Sequence, residues 1–178
     1  RSVNPQVETR VVFTGTFLDP AKEATAAAAL LDQGADVLGV IVDSPITVVQ
    51  TAEKRGAYSV GYHYLGAQKF APKGWISGVA FTWGNLYTRF ARQVMDGTFK
   101  SENILGSLND DLLVMAPFGP AVPADTAGLV NARRQDLAAG KAHPFTGPLK
   151  DNTGVERVKA GEVFPITDLG KMNWLVEG

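Results

Sequence analysis

The chain has 178 residues and a net charge of −1, and 45% of its residues are hydrophobic. This length suffices for one large domain or two small lobes, and the near-neutral charge provides no long-range attraction to nucleic acid or to an anionic membrane. Because the chain contains no cysteine, disulfides, thiolate catalysis and cysteine-ligated metals are all excluded.

The first half of the chain alternates between apolar runs and segments with helical spacing. Strands are predicted at 11–13, 37–42, 58–61 and 75–81, and helices at 21–33 and 45–55. Asp19 and Pro20 suit the start of the first helix, whereas Gly34 and Gly56 are typical of helix ends. This alternation with short loops favours βαβ units, and therefore an α/β fold with a parallel sheet.

The second half is less regular. It predicts a helix at 86–95, a strand at 112–116, a helix at 123–139, a turn at 150–154 and a final short helix near 167–175.

Aromatic and polar residues follow the ends of the predicted strands. Phe17, Asp43, His63, Tyr64 and Trp83 all stand just beyond an apolar run. The carboxyl ends of parallel strands meet at one edge of the sheet, which is where ligands of open α/β sheets bind. Each aromatic ring could equally belong to the core, but together the rings favour a small-molecule cleft.

The sequence lacks the motifs typical of phosphate binding, metal binding and nucleophilic serine catalysis. The sequence T-G-T-F at 14–17 has neither the G-x-G-x-x-G spacing nor the G-K-[ST] ending of phosphate loops. The two histidines, His63 and His143, are far apart and have no carboxylate at a metal-ligand spacing. No G-x-S-x-G elbow occurs. We therefore predict neither a cofactor nor a metal centre.

Asp43 has two interpretations. It could act as a general base, or it could cap the helix that begins near Pro45, a role for which Ser44 is equally suited.

Five segments in a specific order resemble a known family. They are F-L-D-P-A-K-E-A at 17–24, L-D-Q-G-A-D-V at 31–37, S-V-G-Y-H-Y at 59–64, Q-V-M-D-G-T-F at 93–99 and M-N-W-L-V-E-G at 172–178. Together they resemble the basic membrane protein family of ABC-transporter substrate-binding proteins, and the resemblance covers nearly the whole chain.

The resemblance implies a type I periplasmic-binding-protein fold, in which two α/β lobes hold a ligand between them. The chain is similar to the C-terminal half to two-thirds of such a protein, so one lobe would be incomplete. On this interpretation residues 1–82 form βαβ units of the second lobe, residues 83–122 cross into the first lobe, and residues 123–178 return across the hinge.

The resemblance also implies a ligand, since characterised members bind purine nucleosides or bases for uptake. Phe17 matches a ring that stacks on the purine. His63 stands where many members have an aspartate that holds ribose hydroxyls, and Asn85 or Trp83 falls near a family lysine that touches the ligand. Both departures remove charged partners of a sugar, so we expect a free base such as adenine rather than a nucleoside.

The implied role is binding rather than catalysis, with permease subunits of an importer as partners. The implied location is periplasmic or extracytoplasmic, with membrane attachment through a lipidated N-terminus that this sequence lacks. Two alternatives remain open: an α/β enzyme with Asp43 and His63 as an acid–base pair, and a ligand-sensing regulatory domain.

Overall fold

The computed structural model describes residues 3–109 and 112–177. The α-helices are α1 (Pro20–Asp32), α2 (Pro45–Lys54), α3 (Trp83–Met95) and α4 (Ala124–Ala138). The strands are β1 (Val37–Gly39), β2 (Tyr58–His63), β3 (Trp75–Phe81), β4 (Leu113–Met115), β5 (Leu149–Lys150) and β6 (Glu156–Val158). Short 3₁₀ helices span Leu65–Phe70 and Ile166–Lys171. None of the helices in the described ranges combines the length and hydropathy that a membrane span requires.

The chain divides into two compact units. The larger comprises Val12–Arg134, and the smaller comprises Arg1–Val11 with Gln135–Gly178. All six of the residues that the sequence singles out as ligand contacts belong to the larger unit.

The larger unit is built on a four-stranded sheet in the order β1-β2-β3-β4. Strands β1, β2 and β3 run parallel, and β4 pairs antiparallel with β3. The sheet is therefore mixed but mainly parallel, and it confirms the α/β class predicted from the sequence.

Helix α2 packs on the sheet and contributes apolar residues to the main core. It packs against β1, β2 and α1, and its apolar residues Val48, Val49 and Ala52 are buried. The residues that share this core are Ala27, Leu31, Leu38, Val40, Val48, Val49, Ala52, Ala67, Ala71, Trp75 and Ala116. Burial of these side chains fixes the parallel strands that position the site.

Helix α1 begins where the sequence predicts. The Asp19 carboxylate accepts a hydrogen bond from the Lys22 amide at 3.1 Å, and the Glu23 carboxylate accepts one from the Asp19 amide at 3.1 Å. The bond from the Lys22 amide is the main cause that holds the pKa of Asp19 below its usual value. These reciprocal bonds satisfy amides that a helix start leaves unpaired.

The first predicted strand is absent. Residues 11–13 adopt no regular structure, and Val11, Val12 and Phe13 are 51%, 46% and 78% exposed. Three apolar residues form a strand only when a neighbouring strand pairs with their backbone. No strand in the described part of the chain pairs with them, so the prediction of a strand at 11–13 is wrong for this structure.

In the smaller unit, a hairpin is organised around one buried carboxylate. Strands β5 and β6 pair antiparallel around the predicted turn. Asp151, which is 1% exposed, accepts hydrogen bonds from the Thr153 hydroxyl at 2.6 Å, the Val155 amide at 3.0 Å and the Arg157 guanidinium at 2.7 Å. Arg157 also lies over the Trp174 ring at 5.8 Å. The Thr153 hydroxyl above all, then Arg157, hold the pKa of Asp151 well below its usual range, although burial opposes them.

We expect Asp151→Asn to lower the melting temperature by about 3 °C at neutral pH, because the amide cannot replace the charge-assisted bond to Arg157. The pKa of Asp151 in the folded protein lies below the ordinary value of 3.8. The ionised carboxylate therefore stabilises the fold fully at pH values above 3.8. This stabilisation begins to decline as the pH falls below 3.8 and is lost once the pH passes the lower pKa of the folded protein. Thermal unfolding of both proteins from pH 7 down to about pH 3 should show the difference shrinking in acid.

Asp168→Asn is the matched control. Its carboxylate pairs with Lys171 at 2.9 Å on an exposed helix, and such pairs contribute little to stability. An equal loss of stability in both variants would contradict the role given to Asp151.

Candidate functional site

Asp43, which follows the carboxyl end of β1, meets His63, the last residue of β2. The His63 Nε2 lies 3.6 Å from the Asp43 Oδ1 and 3.3 Å from the carbonyl oxygen of Val42. Both side chains stay open to solvent, with 30% of His63 and 54% of Asp43 exposed. Ser44 takes the N-cap position of α2 but makes no side-chain cap bond.

The backbone forms a tight turn at His63, and this turn sets the direction of the His63 side chain. The Tyr64 amide donates to the Tyr62 carbonyl at 2.7 Å, which closes a three-residue γ-turn around His63. The backbone of His63 has a φ of +47°, a positive value that residues other than glycine adopt uncommonly. The chain therefore holds a strained conformation where β2 ends, and such strain is concentrated at functional sites.

A row of aromatic rings continues from His63 along the same edge. Tyr62 contacts His63 edge to face, with ring centroids 4.9 Å apart, and contacts Phe81 at 6.0 Å. Phe81 lies 5.1 Å from Trp83, and Trp83 stacks on Tyr87 at 6.1 Å with an interplanar angle of 15°. Trp83 is 45% exposed. The row thus forms a partly open aromatic wall beside the Asp43–His63 pair.

Phe17 joins this region through its backbone. Its carbonyl accepts a hydrogen bond from the Asp43 amide at 2.7 Å, and the residue is 77% exposed. The bond ties the backbone of the loop before α1 to the segment that follows β1, and the Phe17 side chain is largely open to solvent. Tyr64 is 48% exposed, and its ring lies against the backbone of Gly66.

Asn85 lies in a different setting. It lines a shallow hollow of about 430 Å³ along α3 together with Thr88, Arg89, Arg92, Gln93 and Asp96. None of the other five predicted ligand contacts lines this hollow. A second hollow of about 210 Å³ lies at the amino ends of β1 and β2, beside Asp36 and Tyr58. The structure therefore brings Phe17, Asp43, His63 and Trp83 to one edge but gives Asn85 other neighbours.

Two parts of this site were not singled out from the sequence. The Val42 carbonyl lies 3.3 Å from the His63 Nε2 at the γ-turn that ends β2, and Phe81 lies between Tyr62 and Trp83 because β2 and β3 are adjacent. Strand adjacency predicts the second contact. No local pattern predicts the first.

Comparison with known proteins shows which family the chain resembles. Residues 1–130 match the family described as "ABC transporter substrate-binding protein PnrA-like". A purine-binding protein of Brucella abortus is 38% identical over the entire chain, which covers 50% of that protein. A protein named as a glucose-binding protein of an ABC transporter, from Haloferax volcanii, is 26% identical over 83% of the chain, which covers 37% of its length. The chain spans half or less of these curated relatives.

Two solved structures share the fold. An ABC transporter solute-binding protein from Conexibacter woesei has a TM-score of 0.60 and 25% identity, over 80% of this chain and 48% of that protein. A transcriptional activator of the comK gene from Bacillus halodurans has a TM-score of 0.65 over 73% of this chain and 46% of its own, but at 18% identity it is similar in fold alone.

These likenesses confirm the type I periplasmic-binding-protein-like fold that the resemblance implied. The family match over residues 1–130 and the relative at 38% identity agree with each other. On this evidence the chain belongs to the PnrA-like family of ABC transporter substrate-binding proteins.

Proposed function

We propose that the protein is the solute-binding component of an ABC importer and that it binds a purine base or nucleoside at the carboxyl edge of β1, β2 and β3. The planar base lies against Phe17 and Trp83. Asp43, His63 and Tyr64 offer hydrogen bonds to its polar edges. Permease subunits are the partners, and the protein works outside the cytoplasm, attached to the membrane through a lipidated N-terminus.

One observation carries this proposal: exposed aromatic residues and an open polar pair belong to the same edge of the sheet. The carboxylate and imidazole groups lie 3.6 Å apart. Phe17, which is 77% exposed, accepts the Asp43 amide with its carbonyl, and Trp83, which is 45% exposed, belongs to the row of rings that begins beside His63. Small-molecule sites combine apolar walls with a few polar groups in this way. A planar ligand would cover the exposed rings, and its polar edge would meet the pair.

Closure around the ligand would complete the site. Periplasmic binding proteins close by hinge motion, and water leaves as the ligand is buried. Each polar group of the ligand must then find a partner, since burying one without a hydrogen bond is costly. The affinity would thus come from aromatic burial together with satisfied polar edges.

We expect adenine to bind more tightly than adenosine, because the family resemblance places His63, and Asn85 or Trp83, where other members have charged partners of a sugar. Calorimetry of the whole protein with both ligands makes this comparison. Tighter binding of adenosine would reject the preference for a base. Absence of binding by any purine would reject the proposed ligand class.

The Asp43–His63 pair also favours a second candidate, an enzyme that acts on nucleosides, since a carboxylate beside an imidazole suits acid–base catalysis. Incubation with nucleosides followed by chromatography separates the two functions. A binding protein returns its ligand unchanged, whereas release of free base with turnover would establish the enzyme.

A further inference from the structure

Trp83 is the first residue of α3, and the start of this helix is weakly held. All 13 residues of α3 lie in the described part of the chain, and none of them is buried. Thr82 occupies the N-cap position but makes no side-chain hydrogen bond to the amides that follow. A buried helix face and a capping bond, which usually restrain the first turn of a helix, therefore contribute little to the orientation of Trp83.

Tyr87 supplies a restraint of another kind. It lies four residues after Trp83, so the two side chains share one face of the helix. Their ring planes are within 15° of parallel and their centroids are 6.1 Å apart, an offset stack of the kind that aromatic pairs prefer. Phe81 approaches the same indole at 5.1 Å with an interplanar angle of 32°. The Trp83 ring thus has two aromatic neighbours, yet 45% of the residue stays open to solvent.

Tyr87 stands at the far end of the row of rings that begins beside His63. Among the described residues, Trp83 is the only ring that Tyr87 contacts. Tyr87 is 62% exposed and lies one helical turn further from β3 than Trp83 does. This position suits Tyr87 to hold the Trp83 ring rather than to reach a ligand beside the polar pair.

We infer that Tyr87 is a positioning residue of the purine site, which holds the indole of Trp83 in the orientation against which the base lies. The inference rests on the proposed function. An indole that already has its binding orientation loses less conformational freedom when the ligand arrives, so more of the stacking energy appears as affinity. Without the Tyr87 ring, Trp83 would sample other rotamers in the free protein, and binding would have to select one of them.

Two substitutions of Tyr87 in the whole protein test this role, with adenine affinity measured by calorimetry. We expect Tyr87→Ala to weaken adenine binding by about two- to fivefold, a loss no larger than one aromatic pair contributes. Tyr87→Phe keeps the ring that stacks on Trp83, so its affinity should stay within about 1.5-fold of the wild type.

Val94→Ala is the matched control. Val94 lies on the same face of α3 as Tyr87 and is 63% exposed, against 62% for Tyr87. It lies 11 residues after Trp83 and therefore about three helical turns away. Its substitution should leave adenine affinity unchanged.

A second background separates positioning from direct contact with the ligand. Trp83→Leu keeps an apolar side chain for the base to lie against but gives Tyr87 no ring on which to stack. If Tyr87 acts through Trp83, Tyr87→Ala should change adenine affinity by less than about 1.5-fold in this background. A tyrosine that touched the ligand directly would give the same loss in both backgrounds.

The outcomes separate this inference from the function on which it rests. A loss in Tyr87→Ala that phenylalanine restores and that disappears in the Trp83→Leu background supports the positioning role. Wild-type affinity in Tyr87→Ala, an equal loss in Tyr87→Phe or Val94→Ala, or an unchanged loss in the Trp83→Leu background overturns that role while purine binding stands. Failure of the wild type to bind any purine overturns the proposed ligand class, and this inference with it.

Discussion

Replacing Trp75 with alanine is expected to lower the free energy of unfolding by about 3–5 kcal/mol, the range for removing a large aromatic side chain from a core. Trp75 begins β3, is 2% exposed and belongs to the main core. Its ring lies against Gly61 of β2, where even a single added carbon would collide with it. The variant leaves a cavity between the two strands that end at the candidate site. Chemical denaturation of the whole protein measures the loss.

Trp75→Phe separates packing from hydrogen bonding. The indole N–H donates to the Pro117 carbonyl at 3.1 Å, and phenylalanine keeps an apolar ring but not this donor. We expect a smaller cost of about 1–3 kcal/mol, from the lost hydrogen bond and from the smaller volume of the phenylalanine ring. Should the phenylalanine variant lose as much stability as the alanine variant, packing of the ring would not be the main contribution of Trp75.

The sequence predicts well those elements whose boundaries are marked by local residues, such as a helix cap, a terminal glycine or a turn. Helix α1 has Asp19 at its start and a glycine just after its end, and the structure places it within one residue of the prediction. Strand β3 is predicted exactly, since it is a long apolar run between turn residues. The convergence of Asp43 and His63 was also predictable, because parallel strands bring their carboxyl ends to one edge.

The features that the sequence does not predict depend on distant partners. Residues 11–13 are apolar enough for a strand, but a strand needs a neighbour that hydropathy does not reveal. The γ-turn at His63 places an imidazole where most sequences would need glycine. The family resemblance predicts that Asn85 contacts the ligand, whereas in the structure it lines a separate hollow along α3. Local patterns thus locate the edge, whereas the orientation of each side chain depends on tertiary contacts.

Phe17→Ala is expected to weaken purine binding by more than about 1 kcal/mol, or roughly fivefold or more, because stacking of an aromatic ring on a planar base is lost. Phe17 is 77% exposed in the structure, so its removal should leave the melting temperature unchanged. Its loop stays tied to the site, since the hydrogen bond to the Asp43 amide uses the Phe17 backbone. Calorimetry with adenine gives the change in affinity, and thermal unfolding checks that the fold is intact.

Phe13→Ala is the matched control for this experiment. Phe13 is the same residue type, lies four positions earlier and is 78% exposed, but it has no place in the proposed site. A general loss of exposed apolar surface would affect both variants alike, whereas stacking on the ligand would affect Phe17 alone. If Phe17→Ala binds adenine as tightly as the wild type, Phe17 does not contact the ligand.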